Sequence, residues 1–363
     1  MSWRITPRVA DILKKGGDRA GLTEEEAQEL LRLELGTKEV YALMETANRL
    51  SRDQFKGKGE NHFHIGINVE PCPLNCRFCS LAESAGIFTE KIQFEEQEIV
   101  AWAKIGEAHH ADALNIMTTG NFSLNRLMDI GKLLGGFVSV PLVANTRDIT
   151  HREGEKLLEA GFVAAYHALR LGEGRDTPLA IEKRLQTISV LKDVGLQWMN
   201  CVEPVGPEHS VEEIAYLMVL ARTHGATYSG VMRRINFPGS PFAEVGMVSE
   251  LELSRMVAVS RLVMGDVPKA HCTHEPHALS LISGANLFFP EVGSSPRDRR
   301  TDTGKGRGKS LADCRLIFTE MGWNPDLPSH CFETLSGSKA SDRKLGDKRV
   351  GSCASKEFVR ALV

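Results

Sequence analysis

A (β/α) barrel of the TIM type, complete or nearly so, is the fold this sequence predicts, with a helical cap before it and an irregular tail after it. Three observations point there. Strand-like and helix-like segments alternate about eight times between residues 62 and 290, a pattern that pairs strands in parallel and places helices outside. A chain of 363 residues suits one such barrel. No linker or internal repeat divides it, which favours a closed barrel over two doubly wound halves.

In chain order, residues 24–55 carry apolar side chains at spacings of three and four, broken at Gly36 and Thr37, and predict two amphipathic helices. HFHIGINV at 62–69 predicts the first strand. Helix 92–109, strand 113–118, helix 122–135, strand 137–144, helix 150–160 and strand 162–170 follow. The alternation continues through helix 178–194, strand 196–203, helix 210–224, strand 228–235, helix 249–264, a short strand at 268–273 and another at GANLFFP. The Gly-, Ser- and Arg-rich stretch 293–310 predicts a loop. The division expected is a cap over 1–58, a barrel over 59–322 and a C-terminal extension over 323–363 that holds two further cysteines.

Composition excludes several classes. Hydrophobic residues at 42% and charged residues at 25% are globular proportions. A net charge of −3 gives no general basic field for nucleic acid or anionic membrane, so neither is expected as a partner. No apolar run approaches the roughly 18 residues that cross a bilayer, and MSWRITPRVADILKKGG lacks a secretory apolar segment, so a cytoplasmic location is expected. Eight cysteines are too sparse for a disulfide scaffold, and grouped cysteines in a reducing compartment bind metal or perform chemistry.

Three of them are grouped. Cys72, Cys76 and Cys79 form C-x3-C-x2-C immediately after the first strand. Structural zinc takes four ligands, so three thiolates need His62 or His64 to complete a zinc site; an iron–sulfur cube held by three leaves one iron open. This signature, with Phe78 before its third cysteine, resembles that of the radical S-adenosylmethionine (radical SAM) superfamily. The resemblance implies a [4Fe-4S] cluster on Cys72, Cys76 and Cys79 whose open iron binds S-adenosyl-L-methionine. Reductive cleavage then yields a 5′-deoxyadenosyl radical that takes hydrogen from an unactivated carbon. It implies cofactor contacts from Phe78, from Thr119, Gly120 and Asn121 beside Thr118 at the second strand's end, from Arg170 and Glu173 after the fourth, and from Glu203 after the fifth. A low-potential electron donor such as flavodoxin or ferredoxin follows from the same chemistry.

Beyond the signature, LTEEEAQELL before the barrel, NFPGSP after the sixth strand and SGANLFF near the eighth resemble the biotin synthase branch, whose relatives include archaeal-type lipoyl synthases. The auxiliary-cluster cysteines of biotin synthase have no counterparts in NIMTTGN or LVANTRD, and LQWMNC offers only Cys201. Cys314, Cys331 and Cys353, with Cys201 or Cys272, are candidates for a second iron–sulfur cluster that would donate sulfur; five ordinary thiols are the alternative. His271, Cys272, His274 and His277 cluster at the seventh strand, and His274 is the candidate catalytic residue among them. Arg233 and Arg234 alternate on the sixth strand, so one is expected inside the barrel, able to pair with a substrate carboxylate or phosphate. Arg297, Arg299, Arg300, Lys305, Arg307 and Lys309 make a basic loop suited to an acidic carrier or to solvent.

Sulfur insertion into a lipoyl- or biotin-like, small-molecule or carrier-bound substrate is the first functional expectation. Radical C–H oxidation, rearrangement or carbon–carbon chemistry in cofactor or tetrapyrrole biosynthesis is the second. A non-catalytic zinc or iron–sulfur protein is the third.

Overall fold

The computed structural model describes residues 4–145, 147–237, 239–293 and 308–332. Cys353 and most of the basic loop lie outside them. Eight parallel strand positions close into a ring: β1 (Glu60–Gly66), β4 (Ala113–Met117), β5 (Leu142–Asn145), β6 (Phe162–Tyr166), β7 (Gln197–Met199) continued by β8 (Val202–Val205), β9 (Tyr228–Arg233), β10 (Ala270–Cys272), and β11 (Leu287–Phe288) continued by β12 (Glu291–Gly293). Pairing of Glu60 with Leu287 shuts the ring, so the barrel has no open edge. Beside the mouth, β2 (Asn68–Val69) and β3 (Ile92–Gln93) form a small antiparallel ladder around the cysteine loop.

The helices between strands are α4 (Glu96–Ala108), α5 (Leu124–Leu134), α6 (His151–Glu159), α7 (Ile181–Val194), α8 (Val211–Thr223), α9 (Glu250–Met264) and α10 (Ala278–Ile282). Their starts follow local chemistry: Ser123, Thr150, Ser210 and Ser249 each accept a backbone N–H of the first turn. Strand β5 begins five residues later than its apolar run predicts, because Val138 and Val140 pack on the helical layer ahead of Pro141.

Ahead of the barrel stand α1 (Pro7–Gly17), α2 (Glu24–Leu31) and α3 (Lys38–Gln54); the first of these was not predicted. They pack along the flank made by α8, α9 and α10, with Gly16 against Leu262. α11 (Leu311–Glu320) follows the last strand, and residues 323–332 then cross the N-terminal end of the barrel. There the Gly59 N–H donates to Asn324 O (3.1 Å) and the His330 N–H to Glu60 Oε1 (2.8 Å), while Cys331 and Phe332 enter the core beside Met199, Tyr228 and Leu287. Among the described residues, no helix is long and apolar enough to cross a membrane.

Candidate active site

Strand ends at the C-terminal face of the barrel carry the site, as the fold dictates. After β2 the chain turns sharply: Asn75 takes a left-handed conformation (φ 48°), its Oδ1 accepts the Ser84 N–H (2.8 Å), and the Cys72 N–H donates to Leu81 O (2.8 Å). Cys72 is buried, Cys76 and Cys79 half-buried. Arg77 fastens the loop to the segment after β6, its N–H donating to Asp176 O (2.9 Å) and its guanidinium to Asp176 Oδ1 (2.8 Å).

These cysteines line a cavity of about 990 Å³ together with Thr118, Thr119 and Gly120. A Cβ added at Gly120 would run into Leu74 Cδ1 and lie 3.5 Å from Cys72 Sγ, so the cysteine loop packs closely over this glycine. Burial pushes the Cys76 thiol up to about 11 and raises Cys72 as well. Thiols so placed ionise only against a strong local cation, which the iron of a cluster supplies. Three cysteines on one cavity, with no His, Asp, Glu or further Cys among its described walls, fit the open-cornered cube.

A second cavity lies alongside and opens to solvent; with that open space counted it spans about 1040 Å³, marginally the larger of the two. Phe78, Cys79, Met117, Asn145 and Arg170 line both, so they form the partition between the two. Arg170 is the charged member of that wall. Its guanidinium lies 3.5 Å from Glu203 Oε1, and Glu203, Tyr166 and Glu173 together outweigh its burial and hold it firmly protonated. Arg170 also lowers Cys76, although burial dominates there.

Several expected residues have other employment. Thr119 is tied into a buried network in which its N–H donates to Asn68 Oδ1 (3.1 Å) and its hydroxyl to Glu70 Oε1 (3.1 Å). Asn121 is exposed and outside both cavity walls. Glu173 turns away from the cavities to accept the Arg170 N–H (3.0 Å) and to meet Thr177 Oγ1 and Arg184 Nε (3.4 Å). It orders the turn that presents Arg170. Glu203 does line the larger cavity.

Of the histidine cluster, only His274 faces the larger cavity, its Nε2 2.9 Å from Glu291 Oε1. His271 points outward to Val257 O on α9 (3.0 Å), and His277 caps α10 by accepting the Ser280 N–H at Nδ1 (3.1 Å). Both Arg233 and Arg234 line the larger cavity, not one of them, and each is held by a carboxylate: Arg233 by Glu275 (2.6 Å), Arg234 by Glu208 (2.7 Å). A substrate anion would have to compete with those pairs.

Of the expected Cys314–Cys331–Cys353 set, Cys353 lies outside the described residues, and Cys314 and Cys331 stand in different hydrophobic clusters. Cys314 packs with Leu281, Phe288, Phe318 and Trp323 outside the barrel, whereas Cys331 is inside its floor. Cys201 and Cys272 do come together, Sγ to Sγ 2.9 Å, at the base of the larger cavity. His64, considered above only as a fourth zinc ligand, lines the second cavity: it stacks on Phe289 (4.5 Å between ring centres), lies 3.6 Å from Glu291, and is held neutral by burial, which takes it down to about 4. Its signal was the alternation of His62 and His64 along one strand.

No family model matches the chain. It is 28% identical over 303 residues to the biotin synthase of Geobacter sulfurreducens, covering 78% of this chain and 88% of that one. A biotin synthase of Allorhizobium ampelinum is 28% identical over 259 residues, covering 62% and 74%. The chain is a biotin synthase-like member of the radical SAM superfamily. Solved structures share the barrel of this radical SAM protein. The [FeFe]-hydrogenase maturase HydG superposes with a TM-score of 0.76 at 14% identity, covering 88% of this chain and 76% of that one. Methylornithine synthase PylB superposes at 0.74 and 15%, covering 87% and 98%.

Proposed function

We propose that this radical SAM enzyme functionalises an unactivated C–H bond of a substrate held in the larger cavity, by sulfur insertion of the lipoyl or biotin type. The observation that carries the C–H reading is the shared partition: one wall touches both the cysteine cradle and a second chamber, so a reactive species formed on one side meets a substrate on the other. Sulfur insertion draws on the biotin synthases to which the chain is similar.

Cys72, Cys76 and Cys79 would hold the iron–sulfur cube, with Thr119, Gly120 and Arg170 around S-adenosylmethionine. When bound, that pair supplies a 5′-deoxyadenosyl radical able to take hydrogen from carbon. Arg170, fixed by Glu203, is placed to hold an anionic group at the partition. Tyr166, Met232 and Phe289 give the chamber apolar walls that keep water from a reacting carbon. His274 stands with Nε2 2.9 Å from Glu291 Oε1 and lines the chamber.

A second reading, radical C–H chemistry without sulfur, is favoured by the separation of Cys314 from Cys331, which leaves that sulfur source unassembled among the described residues. Anaerobic reconstitution separates the two. Sulfur insertion predicts about eight iron per chain and a sulfurated product from dethiobiotin or an octanoyl-bearing carrier domain. About four iron, with 5′-deoxyadenosine formed but no C–S bond made, would replace the first reading with the second.

A further inference from the structure

Below the chamber, the floor of the barrel gathers a second set of metal-binding side chains, independent of the reaction proposed above. Glu60 and His62 project inward from β1, two residues apart, and Cys331 arrives from the segment that crosses the barrel's N-terminal end. All three are fully buried, at 0% exposure. One donor atom from each lies within 4.8 Å of the other two, and His62 Nε2 is 3.7 Å from Glu60 Oε2.

Their hydrogen bonding is incomplete. Among the described residues, neither ring nitrogen of His62 has a hydrogen-bond partner, and Glu60 Oε2 has none, although Glu60 Oε1 accepts the His330 N–H. The His62 ring is enclosed by Tyr228, Phe289 and Phe332, at 5.5, 6.3 and 5.7 Å between ring centres. An imidazole wanted only for packing would leave two polar atoms unsatisfied in an apolar setting, which a phenyl ring would avoid. A cation satisfies a ring nitrogen and the spare carboxylate oxygen together. One carboxylate and one thiolate also balance a doubly charged ion, so the buried site would carry no net charge.

We infer that Glu60, His62 and Cys331 bind a zinc-type divalent cation that fastens residues 323–332 to the barrel floor. Oxygen, nitrogen and sulfur donors suit zinc, whose bonds of roughly 2.0–2.3 Å set tetrahedral ligands somewhat closer than these atoms now stand. The ion draws the three side chains together, and a water completes the fourth position.

Full-length protein purified without chelator, loaded with zinc and freed of excess metal by gel filtration, then assayed for zinc and iron by mass spectrometry, tests the site. The expected content is about one zinc per chain in addition to cluster iron. His62→Phe preserves the aromatic packing and removes the nitrogens; its zinc should fall at least about tenfold, with thermal melting showing that the fold persists. Cobalt-loaded protein should show a sulfur-to-cobalt charge-transfer band that Cys331→Ser loses and Cys76→Ser keeps. No zinc in zinc-loaded wild type, unchanged zinc in His62→Phe, or zinc lost with Cys76→Ser and retained in Cys331→Ser would each overturn the site. None of these results bears on whether the mouth makes 5′-deoxyadenosine, so the two readings fail separately.

Discussion

The two ends of the barrel solve opposite problems with similar side chains. At the floor, the Lys58 and Asp112 charges are buried and partnered: the Lys58 ammonium is 2.8 Å from Asp112 Oδ1 and donates to Pro325 O (2.9 Å), and the Asn61 N–H donates to Asp112 Oδ2 (2.8 Å). At the mouth, Cys76, Cys79 and Arg170 are only partly covered and line open space. One strand joins the two: β1 carries Glu60 and His62 at the bottom and His64 above them, and the chain then reaches Asn68 beside the cysteine loop. Closure makes the floor a place where a lost partner unfolds the protein. Openness makes the mouth a place where a lost side chain removes chemistry and leaves the fold alone.

Cys76→Ala should break the comparison most visibly. The side chain is half-buried in a loop held by Asn75, Arg77 and backbone bonds, so thermal stability should stay close to wild type. Cluster iron and anaerobic 5′-deoxyadenosine formation should fall by at least about a thousandfold, or about 4 kcal/mol of activation free energy. A variant with intact turnover would mean that the cysteine loop does not hold the reactive group.

Lys58→Met is the counterpart at the floor. It leaves the Asp112 carboxyl buried without its cation, and a loss of about 3–5 kcal/mol in denaturant unfolding is expected, while 5′-deoxyadenosine per folded molecule is unchanged. Burial and the neighbouring Glu60 already push Asp112 up to about 7, well above the unfolded value of about 3.9. A carboxyl raised on folding binds more protons in the native state, so its contribution to stability falls as pH rises from about 4 towards 7. Without Lys58 that trend steepens, and the variant's deficit should be larger at pH 8 than at pH 5. An equal deficit at both would show that Asp112 is not the group left stranded.

How much of this was legible beforehand depends on the range of the interactions. Strand and helix alternation is local, and it gave the barrel and nearly every element within a few residues. The three cysteines are local too, spaced within one loop. Period-two reasoning placed Arg233 and Arg234 on opposite faces, but β9 ends at Arg233, and past the strand's end Glu208 decides where Arg234 goes. The same rule, applied inside β10, would have turned His271 outward from Cys272. The surroundings of Glu173 were not legible, because its partners, the Arg170 N–H and Arg184, are set by a tight turn and a distant helix. Least legible was Cys331, which meets β1 across some 270 residues; no local pattern marks a tail segment as the plug of a barrel floor.

The smallest effect sharpens the contrast within the mouth itself. Gly120→Ala forces a methyl group against Leu74 Cδ1, and because that contact is the far end of a flexible side chain, Leu74 can swing aside without unfolding anything. The displaced leucine moves into the cavity that the cysteines share with Thr119, where S-adenosylmethionine would lie. The Michaelis constant for S-adenosylmethionine should therefore rise about tenfold, equivalent to about 1.4 kcal/mol, with the rate at saturation little changed. A fall in that rate with an unaltered Michaelis constant would place the strain on the cysteine loop instead, since Cys72 Sγ, at 3.5 Å, is the nearest atom beyond Leu74 that the methyl group approaches.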